Sequence, residues 1–133
     1  MKQSPVLVAV AVLLVAALTI CGHAAVQDAV KALMAKKLEN AHKVMDGIAL
    51  GDFDKIGKHA DELIRVSKAV EFRVLKTPQY EVYSNDFRRN AETLGQMATA
   101  KNLDGAALAY VELTLSCVKC HKHVREVRMA RAD

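Results

Sequence analysis

Residues Val30–Val70 read VKALMAKKLENAHKVMDGIALGDFDKIGKHADELIRVSKAV. Apolar residues return at intervals of three and four rather than two, which predicts helices and not strands. Val30, Leu33, Met34, Leu38, Ala41, Val44, Met45 and Ile48 draw one stripe on a helix expected over roughly 26–50. Gly51 stands where a C-terminal cap residue belongs, and Asp52 can cap the helix that follows. That second helix carries its own stripe: Phe53, Ile56, Ala60, Leu63, Ile64, Ser67 and Val70. So short a connection forces the two helices into an antiparallel hairpin. Lys37 interrupts the first stripe, so its amine must snorkel to water or meet an anion inside.

The rest of the chain repeats the pattern. A longer link is centred on Thr77-Pro78-Gln79, with Thr77 driven out of helical geometry by the proline behind it. Ser84 or Asn85 can cap a third helix, Asp86 suits its first turn, and Phe87, Ala91, Leu94 and Ala98 face inward. Asn102 to Gly105 form a short turn, and Asp104 starts a fourth helix through Ala107, Tyr110, Thr114, Cys117, His121 and Val124. Short, longer and short connections between four amphipathic helices predict an all-α antiparallel four-helix bundle. The small inward residues Ala60, Ala91, Ala98 and Ala107 leave room for a large flat cofactor.

Upstream of the bundle the character changes. Lys2 supplies a positive start, and Val6–Ile20 (VLVAVAVLLVAALTI) is an unbroken apolar run of the length of a secretory signal. Gly22 and Ala24 fit a signal peptidase, so residues 1–24 read as a signal peptide and 25–133 as the domain. The alternative, a retained anchor helix, wants about twenty apolar residues, and the run is short for it. Cys21 raises lipoprotein processing, but Ile20 occupies the place of the expected small residue. No stable membrane span is expected once the signal is removed, and the location expected is periplasmic or otherwise exported.

The formal charge is +4, or +3 after loss of Lys2. That excess is too small and too dispersed for nucleic acid, and it favours an acidic protein partner by weak steering. Beyond residue 25 two cysteines remain, Cys117 and Cys120, and in an oxidising compartment free thiols do not persist.

Cys117-Val118-Lys119-Cys120-His121 has the pattern of c-type haem attachment. On a helical turn, two thiols three residues apart reach the two vinyl groups of one porphyrin, and the next residue aims an imidazole at the iron. His121 is then the proximal ligand. A structural zinc site wants two further ligands; His42, His59 and His123 are available, but they form no second spaced pair. A redox dithiol belongs at the start of a helix beside a strand, and a plain disulfide is the remaining alternative. His59 and His123 read as solvated side chains among charged neighbours.

With CVKCH followed by Arg125, four residues after His121, the chain resembles cytochrome c′ and its low-spin, methionine-ligated relatives, the class II cytochromes c, whose pattern is CxxCHxxxR. The resemblance implies one covalent haem c inside a four-helix bundle, with helix four proximal and helix one distal. It allows a helix-packed homodimer. It implies two subtypes: a methionine on the distal side gives electron transfer with redox partner proteins, whereas a leucine-like residue leaves a five-coordinate iron open to nitric oxide or carbon monoxide. The family interval back from Gly51 falls near Met34 or Ala35, and alanine cannot bind iron, so Met34 is the expected sixth ligand. Leu38 is its five-coordinate counterpart, Met45 a more distant thioether, and His42 would give bis-histidine ligation. Arg125 is expected to pair with a haem propionate, and Tyr110 and Thr114 to line the proximal side. No catalytic residue is needed for electron carriage, and none is assigned.

Overall fold

The structure is a computed structural model that describes residues 5–69 and 74–130, with side chains from residue 26 onward. Its elements in chain order are α1 (Pro5–Leu50), α2 (Phe53–Ser67), α3 (Pro78–Thr99) and α4 (Leu103–Met129), and no strand occurs among the described residues. Each helix packs on its neighbours in sequence, and α1 returns to meet α4, so the four helices close a bundle. Among the described residues no helix is long and apolar enough to cross a membrane.

The hairpin of α1 and α2 forms as its sequence requires. Gly51 takes φ +67°, the left-handed turn that a side chain resists, and Asp52 N donates to Gly47 O at 2.8 Å. Asp52 is extended, and its carboxylate accepts from Lys55 N at 3.0 Å. Gly47 lets the helices touch: a Cβ there would stand 2.9 Å from Ile56 Cγ1. The stripe of α2 is close to expectation, with Ile56, Ala60, Leu63, Val66 and Ser67 buried; Val70 lies outside the described residues.

Three boundaries differ from the sequence expectation. Helix α1 begins at Pro5 rather than near residue 26, because nothing between Ile20 and Val30 stops a helix. Gly22 alone costs about 1 kcal/mol and is tolerated. Helix α3 begins at Pro78, six residues before Ser84. Thr77 is extended, as a residue before proline should be, and this makes it the cap: its hydroxyl accepts from Tyr80 N at 3.2 Å. Proline at the first helical position has no N–H to leave unpaired, so the Thr77-Pro78 signal prevails over the later one. Ser84 is instead buried in mid-helix, donating to Tyr80 O at 2.8 Å. Asn102 caps α4 by accepting from Gly105 N at 2.9 Å, so the helix opens at Leu103 with Asp104 in its first turn.

The core is made by Val44 of α1, Ile56, Ala60 and Leu63 of α2, Phe87, Ala91, Leu94 and Ala98 of α3, and Ala106, Ala109 and Leu113 of α4. On α4 this corrects the expected face. Ala106, Ala109, Leu113 and Ser116 are buried, while Thr114 and His121 are exposed, so the inward stripe is turned by one residue, about 100° of helix. Small residues at 106 and 109 let α4 lie close on α3, and that contact sets the rotation. Cys117 and Cys120 consequently lie half-buried at the edge of the core face.

On α1, Leu38 and Met45 face solvent, and Asn40 and Gly47 are buried in the stripe. Asn40 Nδ2 donates to Lys36 O at 2.8 Å, and its carbonyl lies 2.8 Å from His59 Nδ1. His59 is therefore a polar tie between α1 and α2 and not a solvated side chain, contrary to expectation. Burial and the nearby Lys58, Lys43 and Lys55 lower its pKa, which keeps the ring neutral at pH 7.

Candidate functional site

One seam of the bundle is loose. Contacts between α1 and α4 are sparse beside those of the other neighbouring pairs, and the two helices part around a cavity of about 580 Å³. Its walls bring together residues far apart in the chain. Helix α1 contributes Val30, Met34, Ala35, Lys37, Leu38 and Ala41; α4 contributes Ser116, Cys117, Cys120, His121, Val124, Arg125 and Arg128. Leu63, Tyr80, Tyr83 and Phe87 close the far side.

All five residues singled out from the sequence, Met34, Cys117, Cys120, His121 and Arg125, line this one cavity. They arrive by helical spacing. Positions three and four apart share a face, so Cys117, Cys120, His121, Val124 and Arg125 follow one another down the same side of α4. Leu38 also lines the cavity although it is largely exposed, which leaves an aliphatic side chain one turn from Met34. His42 and Met45 are exposed and do not reach it, so neither of those alternatives lies at the site. Tyr110 and Thr114 were expected along the wall, but the rotation of α4 puts Tyr110 against the core and Thr114 in solvent, donating to Tyr110 O at 2.9 Å.

The electrostatics have a clear sign. Among the described residues Lys37, Arg125 and Arg128 line the cavity and no aspartate or glutamate does. Burial pushes the Cys117 and Cys120 thiols up, and Lys37 opposes that shift in both. Desolvation at the cavity wall, then Lys37 and Arg125, push the His121 pKa down, which favours the neutral ring. The Lys37 amine lies 3.4 Å from the centre of the Phe87 ring, and burial lowers its pKa to about 8.

Two contributors were missed in the sequence. Arg128 follows Arg125 by three residues and so lies on the same side of α4; the helical spacing held that signal. His123 was expected to be solvated. It is half-buried, with Nε2 2.9 Å from Thr77 Oγ1 and its ring edge-on to Tyr83 at 5.8 Å between centres. It braces the start of α3 and a cavity-lining tyrosine against α4, a long-range contact that no local pattern encodes. Among the described residues no three histidine, cysteine or acidic side chains converge as a metal cluster, so His42, His59 and His123 do not complete a zinc site with the two cysteines. The dithiol also lies deep in α4, far from any helix start.

The arrangement is an apolar cavity with cationic side chains and two thiols along its described lining. Comparison with family models, curated proteins and solved structures finds no match to this chain.

Proposed function

We infer that this chain is an exported c-type cytochrome that carries electrons through one covalent haem c. The observation that carries the reading is the composition of the cavity. An attachment-patterned Cys117, Cys120 and His121 line an apolar space of about 580 Å³ whose described lining includes Lys37, Arg125 and Arg128. A haem is a flat apolar body with two carboxylates, and cofactor sites fall in the range of about 300–1,000 Å³. The two thiols would hold it by thioethers, His121 would bind the iron, and Arg125 and Arg128 would take the propionates by forked hydrogen bonds.

Helix register supports Met34 as the sixth ligand. Lys37 acts most strongly on Cys117 among the groups of α4. Since α1 and α4 run antiparallel, three residues back on α1 match three to four onward on α4, a rise of about 5 Å. That step leads from Lys37 to Met34 and from Cys117 to Cys120 and His121. Met34 and His121 line the same cavity from α1 and α4. Residues 1–24 would act as the export leader, and acidic redox proteins, drawn by weak steering, would be the partners.

The test is a visible spectrum of the purified protein with a haem stain of the denatured band. Covalent stain and low-spin bands indifferent to carbon monoxide support the reading. High-spin bands that respond to the gas would favour the five-coordinate alternative, in which Leu38 rather than Met34 faces the iron. Met34→Ala should convert the first spectrum into the second, and an unchanged spectrum would remove Met34 from the iron.

A further inference from the structure

Helix α4 is apolar on two opposite sides. Ala106, Ala109 and Leu113 face the core, whereas Leu108, Val111, Leu115 and Val118 are 67, 57, 51 and 57 % exposed. These four recur at intervals of three, four and three, the spacing of a helix-pairing seam. They lie across α4 from the core stripe, so the closed bundle leaves them outside. A surface helix ordinarily turns charged residues to that side, and a contiguous apolar strip there marks a contact site. Each end of the strip is closed by a charge. Asp104, in the first turn of α4, stands four residues before Leu108, and Lys122 stands four after Val118, both exposed.

We propose that this strip is the interface of a homodimer in which α4 packs antiparallel on α4 of a second copy. The order of the residues carries the assignment. A twofold axis level with Leu113, on the outer side of the helix, sets Leu108 against the second copy's Val118 and Val111 against its Leu115. The same axis sets Asp104 against the second copy's Lys122. Every layer then joins one leucine to one valine, and each end joins a carboxylate to an ammonium. A parallel pairing would place Asp104 on Asp104 and Lys122 on Lys122, so charge selects the antiparallel one. Lys122 lies 3.9 Å from Glu126 of its own helix, a loose contact between exposed groups that leaves the amine within reach of a second carboxylate. Ala107 and Thr114 on one edge of the strip are small enough for close approach, and Glu112 and Lys119 on the other edge reach solvent. From Asp104 to Lys122 the seam is about 27 Å long. Eight aliphatic side chains put it at the low end of specific interfaces, with a dissociation constant on the order of micromolar. This contact forms whether or not the cavity holds a haem, and the cytochrome reading stands or falls apart from it.

The experiment is sedimentation equilibrium of the purified protein as isolated, from about 1 to 200 μM, with Leu115→Lys, Asp104→Lys, Lys122→Asp and the double reversal Asp104→Lys/Lys122→Asp. The expected result is a wild-type monomer–dimer equilibrium and a Leu115→Lys protein that stays monomeric with unchanged helical circular dichroism. Each single reversal sets two like-charge pairs across the axis and should weaken the dimer about tenfold, while the double reversal should return it to within about threefold of the wild type. A wild-type monomer throughout the range overturns the proposal, whether it stays free or binds phosphatidylcholine vesicles through the strip. A dimer that survives Leu115→Lys places the interface on another face and also overturns it. Failure of the double reversal to restore what the single ones lose overturns the antiparallel register.

Discussion

Replacing glycine by alanine at two helical positions should change stability in opposite directions. In a helix interior, alanine is favoured over glycine by about 1 kcal/mol. At Gly95 in α3, a new Cβ meets no heavy atom within 4 Å, so the gain is kept: Gly95→Ala should be more stable by about 0.5–1 kcal/mol. At Gly47 in α1, the same atom would lie 2.9 Å from Ile56 Cγ1 and 3.2 Å from both Asp52 O and Ile56 N. None of these can retreat easily. Ile56 is fully buried, and the backbone is pinned by Asp52 N to Gly47 O at 2.8 Å and Ile56 N to Asp52 O at 3.1 Å. Overpacking of this kind costs about 1–3 kcal/mol, and the upper part of that range applies where backbone must move. After the propensity gain is subtracted, Gly47→Ala should be destabilised by about 1–2 kcal/mol. Urea denaturation followed by circular dichroism measures both, with the slope against urea unchanged. If Gly47→Ala were as stable as the wild type or more so, the close approach of α1 and α2 would be wrong. The register that sets Met34 and Lys37 against α4 would fall with it.

Other perturbations test the cap, the polar tie, the attachment and the buried charge. Asp52→Ala removes the acceptor for Lys55 N and should cost about 1 kcal/mol in the same urea assay. Asn40→Leu leaves His59 Nδ1 without its partner and should cost about 1–3 kcal/mol, whereas a surface change such as Lys43→Gln should cost little. Cys117→Ser combined with Cys120→Ser should abolish haem staining of the denatured band, and a persistent stain would mean that the attachment lies elsewhere. For Lys37, the folded pKa of about 8 lies below the ordinary 10.5, so between those values the unfolded chain holds the extra proton and stability rises with pH. Lys37→Met in the haem-free protein should therefore be more stable than the wild type below that window. The difference should shrink as pH climbs through it, which denaturation on either side can read.

Local signals carried most of the architecture. Gly51-Asp52 announces both the end of one helix and the cap of the next, since a left-handed turn and a side-chain acceptor are needs that few residues meet. The Thr77-Pro78 pair was half legible: the proline's effect on Thr77 is local, but its victory over Ser84 depends on Ser84 being buried against the rest of the bundle. The face of α4 could not be read so well. Alanine and glycine are compatible with either side of a helix, and the true stripe is decided by how closely α4 approaches α3. For the site, the five residues named from the sequence do line one cavity, because four of them lie within nine positions of one helix. His59 and His123 were misjudged for a common reason: each is a polar side chain whose partner, Asn40 or Thr77, is distant in sequence.

The loose seam between α1 and α4 also bears on how the chain folds. The tight seams join helices that are neighbours in sequence, so nearly all of the packing forms from local contacts and the relative contact order is low. Such chains fold quickly, because little loop entropy is lost before contacts compensate for it. The closure of first helix on last is the sparse one among the described seams between neighbouring helices. A ligand bridging that gap would bind only the closed form and so draw the folding equilibrium toward it. On the reading proposed above, a haem held between α1 and α4 would complete that fourth seam.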